Sequence, residues 1–422
     1  MSCGHTVLVT GSGGHLGEAI VRALRGDAAA AASVDADALR PFAGAAVVGL
    51  DRRPTAFTDA VLDLTAHDAP AALAALLRRH HVTAVVHTAA LQKPHVATHG
   101  EAAFVDVNVT GTLRLLEAAW AAPAVAAFVL SSSTTVYGHA VPRGERAASA
   151  EAAGAAPVWL TEAVTPVPRN IYGVTKVAAE HLCGLYHRKP KPKPRTADAG
   201  LVSDSPPTST SAPVPPEVAA LPSHLHCVAL RNSRFFLESD DEPAAVAPYG
   251  GSEANLKTVE LLHRRVDIAD VVAAHLRAIA AAPVATLPAA VEAAGCRCPT
   301  FIVSAPTPLR PEQVRPGTAP TAAASEMWDA VPWADNARRR LAAHRNWVLP
   351  PTLDRVYDAS AAVQQLGWRP RYTFDAALAA LPPVDVATGA AGGAEPAVHF
   401  AGYPCSPLAR TVGCKGYHYA AA

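Results

Sequence analysis

A tyrosine and a lysine four residues apart, Tyr172 and Lys176 in "NIYGVTK", could together move a proton. Residues at positions i and i+4 share one face of a helix. A free phenol has a pKa near ~10 and is a poor base at neutral pH. A lysine cation one turn away favours the phenolate and lowers that pKa. The spacing alone allows either this acid/base pair or a solvated pair on a helix surface.

A glycine-rich turn follows the first strand pattern of the chain. "VLVTGSGGHLGEAI" places Gly11, Gly14 and Gly17 where a strand ends and a helix begins, with His15 and Leu16 in the same turn. Glycine permits the tight turn and lets a pyrophosphate approach the backbone at the helix N-terminus. The placement predicts a dinucleotide-binding turn; the alternative is a glycine-rich turn without a ligand.

Two acids follow later strand patterns. Asp51 in "VVGLDRRP" fits the acid that holds a ribose 2′-hydroxyl, although an alanine-rich insertion delays it. An acid here repels a 2′-phosphate and favours NAD, whereas Arg52 and Arg53 could receive that phosphate, so NADP stays possible. Asp63 and Leu64 in "VLDLT" follow the next short strand, where Asp63 could reach the adenine or serve as an ordinary cap or turn acid.

The elements that must position these residues alternate between two patterns. Short β-branched runs alternate with longer stretches that have apolar residues at helical spacing, which is typical of βαβ units. The predicted strands are 6–10, 45–50, 84–89, 127–132 and 226–231. We therefore predict an α/β, Rossmann-type, doubly wound parallel sheet. The low-complexity segment 26–45 is expected to be a loop, and the Pro/Ser-rich segment 189–224 a disordered insertion.

Composition narrows the class of protein. The chain has 422 residues, and Lys+Arg and Asp+Glu are equal at 36 each, which argues against nucleic acid or an anionic membrane as the main partner. The seven scattered cysteines are typical of a reducing compartment, so we expect a cytoplasmic protein. Cys296 and Cys298 have no second pair nearby, so no metal is expected. No leader or membrane span is apparent.

Taken in order, these motifs resemble the extended short-chain dehydrogenase/reductase family, which includes the NAD-dependent epimerases and dehydratases. The similarity runs through "TGSGGHLG", Asp51, "DLT", "HTAA", "NVTGT", "SSSTTVYG", "TEAVTPVPRNIYGVTKVAAE" and "RRVDIADVVAAH". It covers roughly residues 6–186 and 226–280, and the later "YDASAAVQQLGWRPRYTFDAAL" resembles the closing segment of the family.

The resemblance implies specific catalytic roles. Tyr172 would be the acid/base, and Lys176 would tune it and hold the nicotinamide ribose of NAD. Ser133, the third residue of the "SSS" run, would hydrogen-bond the substrate oxygen and share the developing charge. In this context we interpret the Tyr172–Lys176 pair as catalytic.

The resemblance also implies supporting residues. His87, Ala89 and Ala90 in "HTAA" would line the cofactor pyrophosphate. Asn108 would support the cofactor site from the neighbouring helix, or would instead satisfy a helix kink as an ordinary polar residue. Asp267 matches a structural acid of the family.

The family's domain plan implies a Rossmann domain at 1–232 to which 262–282 returns. A smaller substrate-binding lobe would be formed by 233–261 and 283–400, followed by a tail at 401–422. The family usually dimerises through the helices that follow Asn108 and Tyr172, so a homodimer is expected.

The reaction is less determined than the fold. The dehydratase branch carries an Asp-Glu pair where this chain has Thr134 and Thr135, which disfavours dehydration. We predict an epimerase of a nucleotide sugar that acts through a keto intermediate. The alternative is an NAD(P)H-dependent reductase or dehydrogenase of a non-nucleotide carbonyl or alcohol; a non-catalytic NAD sensor is a third hypothesis.

The expected substrate anchor differs from that of the family. Arg234 stands roughly where the family has a phosphate-binding asparagine, and it could bind a phosphate or a carboxylate. An acidic cluster follows, formed by Glu238, Asp240, Asp241 and Glu242, which we expect to face solvent.

Overall fold

The computed structural model describes residues 5–141, 157–192, 221–235, 253–282, 298–313, 328, 331–343, 348–350 and 353–380. Most of the predicted insertion (193–220), the acidic cluster at 238–242, Cys296 and the tail 401–422 lie outside the described residues.

Two parallel sheets organise the described residues. The strands are β1 Thr6–Thr10, β2 Ala46–Asp51, β3 Ala60–Val61, β4 Ala84–His87, β5 Ala127–Ser133, β6 Val158–Leu160, β7 His226–Asn232, β8 Thr300–Val303 and β9 Arg355–Tyr357. The main sheet has the order β3-β2-β1-β4-β5-β7-β8, and β6 pairs with β9 in a second sheet. The strand order reverses between β1 and β4, the position at which open α/β sheets bind their ligands.

The α-helices of the described residues are α1 His15–Leu24, α2 Ala28–Ser33, α3 Ala36–Leu39, α4 Ala69–Arg79, α5 Glu101–Phe104, α6 Gly111–Ala121, α7 Ile171–Arg188, α8 Glu253–Glu260, α9 Ile268–Ala281, α10 Ala334–Ala343, α11 Ser360–Leu366 and α12 Phe374–Ala380. A π-helical segment, Val105–Thr110, separates α5 from α6.

Helices cover both faces of the main sheet. Alternate side chains of a strand point to opposite faces, and in β1 Val7 packs into one core while Leu8 packs into the other. The first core also contains apolar residues of α1 and α9, and the second contains those of α4, α6 and α7. Burial on both faces explains why the strands are nearly continuous runs of apolar residues, and it confirms the predicted doubly wound fold.

Two expectations about the chain's organisation need correction. The segment 26–45, expected to be a loop, forms α2 and α3, and it buries Ala30, Val34 and Phe42 against the first core. Asp27 supports α2 because its carboxylate accepts hydrogen bonds from the Ala29 and Ala30 amides. Strand β8, expected in the lobe, pairs with β7 and completes the main sheet.

The smaller lobe has its own apolar cluster. Leu261, Trp328, Leu341, Leu353 and Phe374 are among its buried residues. The β6–β9 sheet lies beside it and packs Leu160 and Tyr357 against Tyr137 of the main domain. No helix within the described ranges is both long and apolar enough to cross a membrane.

Candidate active site

A cavity of about 710 Å³ opens at the carboxyl ends of β1, β4, β5 and β7. Its walls combine residues of the glycine turn, the end of β5, the start of α7 and the lobe. Volumes of this order are typical of sites for small molecules and cofactors. The reversal of strand order therefore coincides with a large concave site.

The glycine turn is shaped by close backbone packing. Gly11 has a φ of +71°, and a Cβ there would lie 2.7 Å from the Ala89 amide nitrogen. A Cβ on Gly17 would lie 2.0 Å from the Gly11 carbonyl oxygen. Helix α1 begins after Gly14 without a side-chain cap. Its first amides are therefore left to an anionic ligand, and the turn fits a dinucleotide pyrophosphate.

His15 and Leu16 line the same cavity at the start of α1. His15 is buried, and this burial lowers its pKa to about 4. The imidazole is therefore neutral at physiological pH and adds no fixed positive charge to the pyrophosphate end.

The acid after β2 is oriented by backbone amides. Asp51 Oδ2 accepts a hydrogen bond from the Gly13 amide at 3.0 Å, and Oδ1 accepts one from the Arg53 amide at 3.0 Å. Arg52 and Arg53 line the rim of the cavity and are exposed. The structure thus places the acid and both arginines at one end of the cavity.

Asp63 and Leu64 also line this end of the cavity. Asp63 Oδ1 accepts hydrogen bonds from the amide and the hydroxyl of Thr65 at 2.8 and 2.7 Å. This is the geometry of a turn acid, and one carboxylate oxygen remains for a ligand.

His87 does not line the cavity, in contrast to the expectation from the "HTAA" motif. Its ring is buried, with Nδ1 2.7 Å from Thr10 Oγ1 and Nε2 2.9 Å from Thr112 Oγ1. Burial, with a smaller effect of Lys176, lowers its pKa to about 3. His87 is therefore a neutral link between β1 and α6, whereas Ala89 and Ala90 do line the cavity.

Asn108 lies behind the cavity wall. It belongs to the π-helical segment, and its Oδ1 accepts a hydrogen bond from the Leu91 amide at 2.8 Å. Its Nδ2 donates to the Leu91 carbonyl at 2.9 Å and to Thr175 Oγ1 at 3.0 Å. Asn108 thus fixes the loop after β4 against α7. Its side chain is bonded to Leu91 and Thr175 and does not line the cavity.

Ser133, Tyr172 and Lys176 converge on the cavity. Ser133 ends β5, and its hydroxyl donates to Thr135 Oγ1 at 2.9 Å. Asn170 caps α7 by accepting a hydrogen bond from the Gly173 amide, which places Tyr172 in the first turn. Lys176 Nζ donates to the Ser131 carbonyl at 2.7 Å and lies 5.9 Å from the centroid of the Tyr172 ring.

The protonation of this group differs from the sequence expectation. Burial raises the pKa of Tyr172 to about 12, although a hydrogen bond with Ser133 opposes the rise. Burial lowers the pKa of Lys176 to about 8, with Glu180 opposing. The predicted depression of the phenol pKa by Lys176 is thus not found, because burial dominates and the ammonium is turned to the Ser131 carbonyl.

A buried ion pair links α7 to the strands β5 and β7. Glu180, one turn after Lys176, pairs with Arg231 of β7 at 2.7 Å and accepts a hydrogen bond from Ser132 Oγ at 2.6 Å. Arg231 also donates to the Tyr137 hydroxyl at 2.8 Å. Sequence reasoning missed this network because its members come from three segments that are far apart in the sequence.

Residues after β7 contribute positive charge to the cavity wall. Arg234, Arg264 and Arg355 line it, and Glu260 accepts hydrogen bonds from Arg234 at 3.3 Å and from Arg264 at 2.8 Å. Arg355 pairs with Asp354 at 2.5 Å. Burial alone would raise the pKa of Glu260, but the surrounding arginines lower it to about 2. Arginines outnumber carboxylates in this cluster, which favours an anionic ligand.

Three further residues named in the sequence analysis have clear positions. Asp267 caps α9, since its carboxylate accepts a hydrogen bond from the Ala269 amide at 2.7 Å. Thr134 and Thr135 line the cavity beside Ser133, and these positions carry hydroxyls rather than carboxyls. Within the described residues, no group of three or more His, Cys, Asp or Glu side chains could hold a metal ion.

Comparison with known proteins agrees with this geometry. Residues 7–194 match the model of the NAD dependent epimerase/dehydratase family. A UDP-glucose 4-epimerase from Erwinia amylovora is 32% identical over 139 residues, which is 32% of this chain and 39% of that protein. The match thus spans about two fifths of that relative's length.

Two solved structures are among those that are similar to this chain. A short-chain dehydrogenase/reductase superfamily protein from Agrobacterium tumefaciens, solved with bound NAD, is 21% identical, with a TM-score of 0.48 and coverage of 89% of this chain and 95% of that one. A UDP-N-acetylglucosamine 4-epimerase from Bacillus cereus is 19% identical, with a TM-score of 0.48 and coverage of 89% and 96%.

The sequence match includes the glycine turn, Asp51, Ser133, Tyr172 and Lys176, all of which meet at the cavity. Over residues 7–194, this chain is similar to the NAD dependent epimerase/dehydratase family.

Proposed function

We propose that this protein is an NAD-dependent enzyme that epimerises a nucleotide sugar through a transient keto intermediate. The observation that supports this most directly is one shared cavity, which is lined by the Ser133, Tyr172 and Lys176 side chains together with the glycine turn and three arginines. The glycine turn fits a dinucleotide, the three side chains can move a proton, and the arginines can hold an anion.

The cofactor end fits NAD on this chain's own geometry. Neither Gly11 nor Gly17 has room for a side chain, so the turn packs closely through its backbone. The first turn of α1 offers uncapped amides to the pyrophosphate. Asp51 would hold the ribose hydroxyls of the adenosine. Arg52 and Arg53 on the same rim keep NADP as the alternative cofactor.

The reaction needs a proton transfer beside a hydride transfer. NAD, when bound, supplies the hydride acceptor and donor. Tyr172 would take the proton from the substrate hydroxyl and later return it, and Ser133 would hydrogen-bond the same oxygen. Lys176, anchored on the Ser131 carbonyl, would keep positive charge beside the phenol when its own proton is present.

The arginine cluster supports an anionic substrate. Arg234, Arg264 and Arg355 come from three segments of the lobe side and line the same part of the cavity. A guanidinium suits a diphosphate because it can donate two parallel hydrogen bonds. An epimerase must hold its substrate by a part distant from the reacting carbon, and a nucleotide diphosphate would serve as that part.

The rival function is a net reductase or dehydrogenase of a non-nucleotide carbonyl or alcohol. It requires the same Ser133, Tyr172 and Lys176, so those residues do not distinguish the two. A non-catalytic NAD sensor is a weaker hypothesis, because such a protein has no need of the three side chains together. Thr134 and Thr135 supply no acid/base pair for a dehydratase.

The deciding experiment follows the state of the cofactor. We expect the purified protein to contain bound NAD and to interconvert UDP-hexoses with no net change in NADH absorbance. A requirement for stoichiometric NAD(P)H, with no turnover of any UDP-sugar in a panel, would establish the reductase instead. Titration with NADH and NADPH tests the cofactor: a preference for NADPH above ~10-fold, or about 1.4 kcal/mol, would mean that Arg52 or Arg53 outweighs Asp51.

We also propose a homodimer and a cytoplasmic location. The dimer would form through α6 and α7, and the location is supported by the odd number and scattered spacing of the seven cysteines.

A further inference from the structure

Two buried polar atoms, in residues that line the cavity, have no hydrogen-bond partner among the described residues. They are Oδ1 of Asn232 and Oγ of Ser233, whose residues are only 4% and 2% exposed. Both residues line the cavity at the carboxyl end of β7. Buried polar atoms are nearly always paired, and an unpaired one on a cavity wall points to a ligand.

The orientation of the Asn232 amide is fixed by its neighbours. Nδ2 lies 2.9 Å from Ser131 Oγ and 3.4 Å from the Ser132 carbonyl. A carbonyl can only accept, so the nitrogen must be the atom that faces β5. The amide oxygen is therefore the free atom, and it requires a hydrogen-bond donor.

Ser233 is held in the same way by its backbone. Its amide donates to the Val303 carbonyl of β8 at 2.8 Å, which fixes the residue beside Asn232. Its hydroxyl can donate and accept, so the two side chains together match a hydroxyl group better than a charged group.

The position of Asn232 relates it to the reacting centre. In the parallel pairing of β5 and β7, Asn232 is in register with Ser133. Paired residues of adjacent strands lie ~4.8 Å apart. A ligand whose reacting oxygen is held by Ser133 would therefore bring a neighbouring substituent close to Asn232.

We propose that Asn232 and Ser233 form a specificity subsite that binds a hydroxyl on a carbon next to the reacting carbon of the sugar. This inference rests on the proposed function and adds the residues that select the sugar. A site built to hydrogen-bond a hydroxyl rejects the analogue that lacks it, because its own polar groups are left unpaired.

The test compares three ligands that share one nucleotide. In a UDP-hexose that reacts at C4, the flanking carbons carry the 3-hydroxyl and the hydroxymethyl group. We would measure by calorimetry the Kd of UDP-glucose, UDP-3-deoxyglucose and UDP-xylose, which lacks the hydroxymethyl group, on the NAD-loaded protein. We expect wild type to bind one of the two analogues more than ~10-fold more weakly than UDP-glucose.

The variants assign that discrimination to the subsite. Asn232→Leu and Ser233→Ala should bring the ratio of Kd values close to one, with little change for the analogue. Ser33→Ala, a buried serine bonded to the Ala29 carbonyl away from the cavity, serves as the matched control and should keep the wild-type ratio. Thermal unfolding checks that each variant is folded.

Four results would overturn the subsite. The first is equal binding of all three ligands by wild type. The second is a ratio of Kd values that stays at the wild-type value in both variants, because water would then satisfy the two unpaired atoms. Weaker NAD binding in Asn232→Leu with an unchanged sugar ratio would assign the residue to the cofactor instead. If wild type binds none of the UDP-sugars, the proposed function fails and the subsite fails with it.

Discussion

The phenol of Tyr172 shows how strongly the surroundings of a side chain can shift its pKa. It is 8% exposed, and burial raises its pKa to about 12. At neutral pH it therefore carries its proton, and it must lose that proton before it can take one from a substrate hydroxyl. To act as a base, the phenol needs a positive charge nearby. Lys176, which lines the same cavity, can supply that charge.

Replacing Tyr172 tests its role directly. Tyr172→Phe keeps the ring in its pocket and removes only the hydroxyl. We expect kcat to fall by ~10²–10⁴-fold, the usual contribution of a positioned acid/base, while the Kd for NADH stays close to wild type. Tyr186→Phe, on the same helix but facing Trp120, is the control and should remain active. Full activity of Tyr172→Phe would remove the catalytic assignment.

The pH dependence should report Lys176. Its pKa is lowered from 10.5 to about 8 by burial, so its positive charge is present below pH 8 and is lost as the pH rises through that value. We expect kcat/KM, which reports the free enzyme, to fall above pH ~8. Lys176→Arg retains the charge at high pH, so any residual activity should not fall there. A wild-type profile that stays level to pH ~10 contradicts this role.

Sequence reasoning reached residues whose roles are local and missed those set by distant packing. Gly11 and Gly17 were predictable because a tight turn between strand and helix demands glycine. His87 was placed wrongly, because the motif does not show that the ring would turn away from the cavity, between Thr10 and Thr112. Arg264 lies in the quoted "RRVDIADVVAAH" segment and Arg355 just before "YDASAAV", but neither segment shows that an arginine side chain reaches the cavity.

At the scale of elements, the contact between the glycine turn and α1 sets the cofactor end. Gly17 belongs to α1, yet its Cα faces the Gly11 carbonyl so closely that any Cβ would overlap it. The helix can therefore approach the turn only with glycine at this position, and the approach is what presents the helix N-terminus to the cavity.

Gly17→Ala should separate the turn from α1. A Cβ placed 2.0 Å from the Gly11 oxygen must displace the backbone. We expect the Kd for NADH to rise by more than ~10-fold and the free energy of unfolding to fall by ~1–3 kcal/mol, as for other overpacked sites. Gly100→Ala meets nothing within 4 Å at a φ of −68° and should change neither. NADH fluorescence and urea unfolding measure both quantities.

The elements themselves were predictable where their periodicity is strong. The five predicted strands are found within two residues of their expected bounds. Segment 26–45 was misjudged because its low complexity conceals Ala30 and Phe42, which have a core to pack against only in the folded protein. The π-helical segment at Asn108 was also not predicted, because a change in backbone pitch leaves no periodic mark over six residues.

At the scale of the whole molecule, one side of α7 exposes two apolar side chains with His181 between them. Val174 and Leu185 of α7 are 48% and 50% exposed, and their spacing of eleven residues puts them on one side of the helix. Val105, just before α6, is 42% exposed. Helices α6 and α7 pack side by side, so a second copy related by a two-fold axis could cover both at once.

A charge on that face should separate the two copies. We expect light scattering to give twice the chain mass for wild type and the single chain mass for Leu185→Asp at micromolar concentration, because an interface core does not tolerate an unpaired carboxylate. Val61→Asp, on the exposed edge strand β3, is the matched control and should remain dimeric. Wild type that elutes as a monomer, or Leu185→Asp that stays dimeric, would place the contact elsewhere or exclude it. Since α7 also carries Tyr172 and Lys176, a monomeric variant that keeps its bound NAD but loses turnover would show that the second copy steadies the reacting helix.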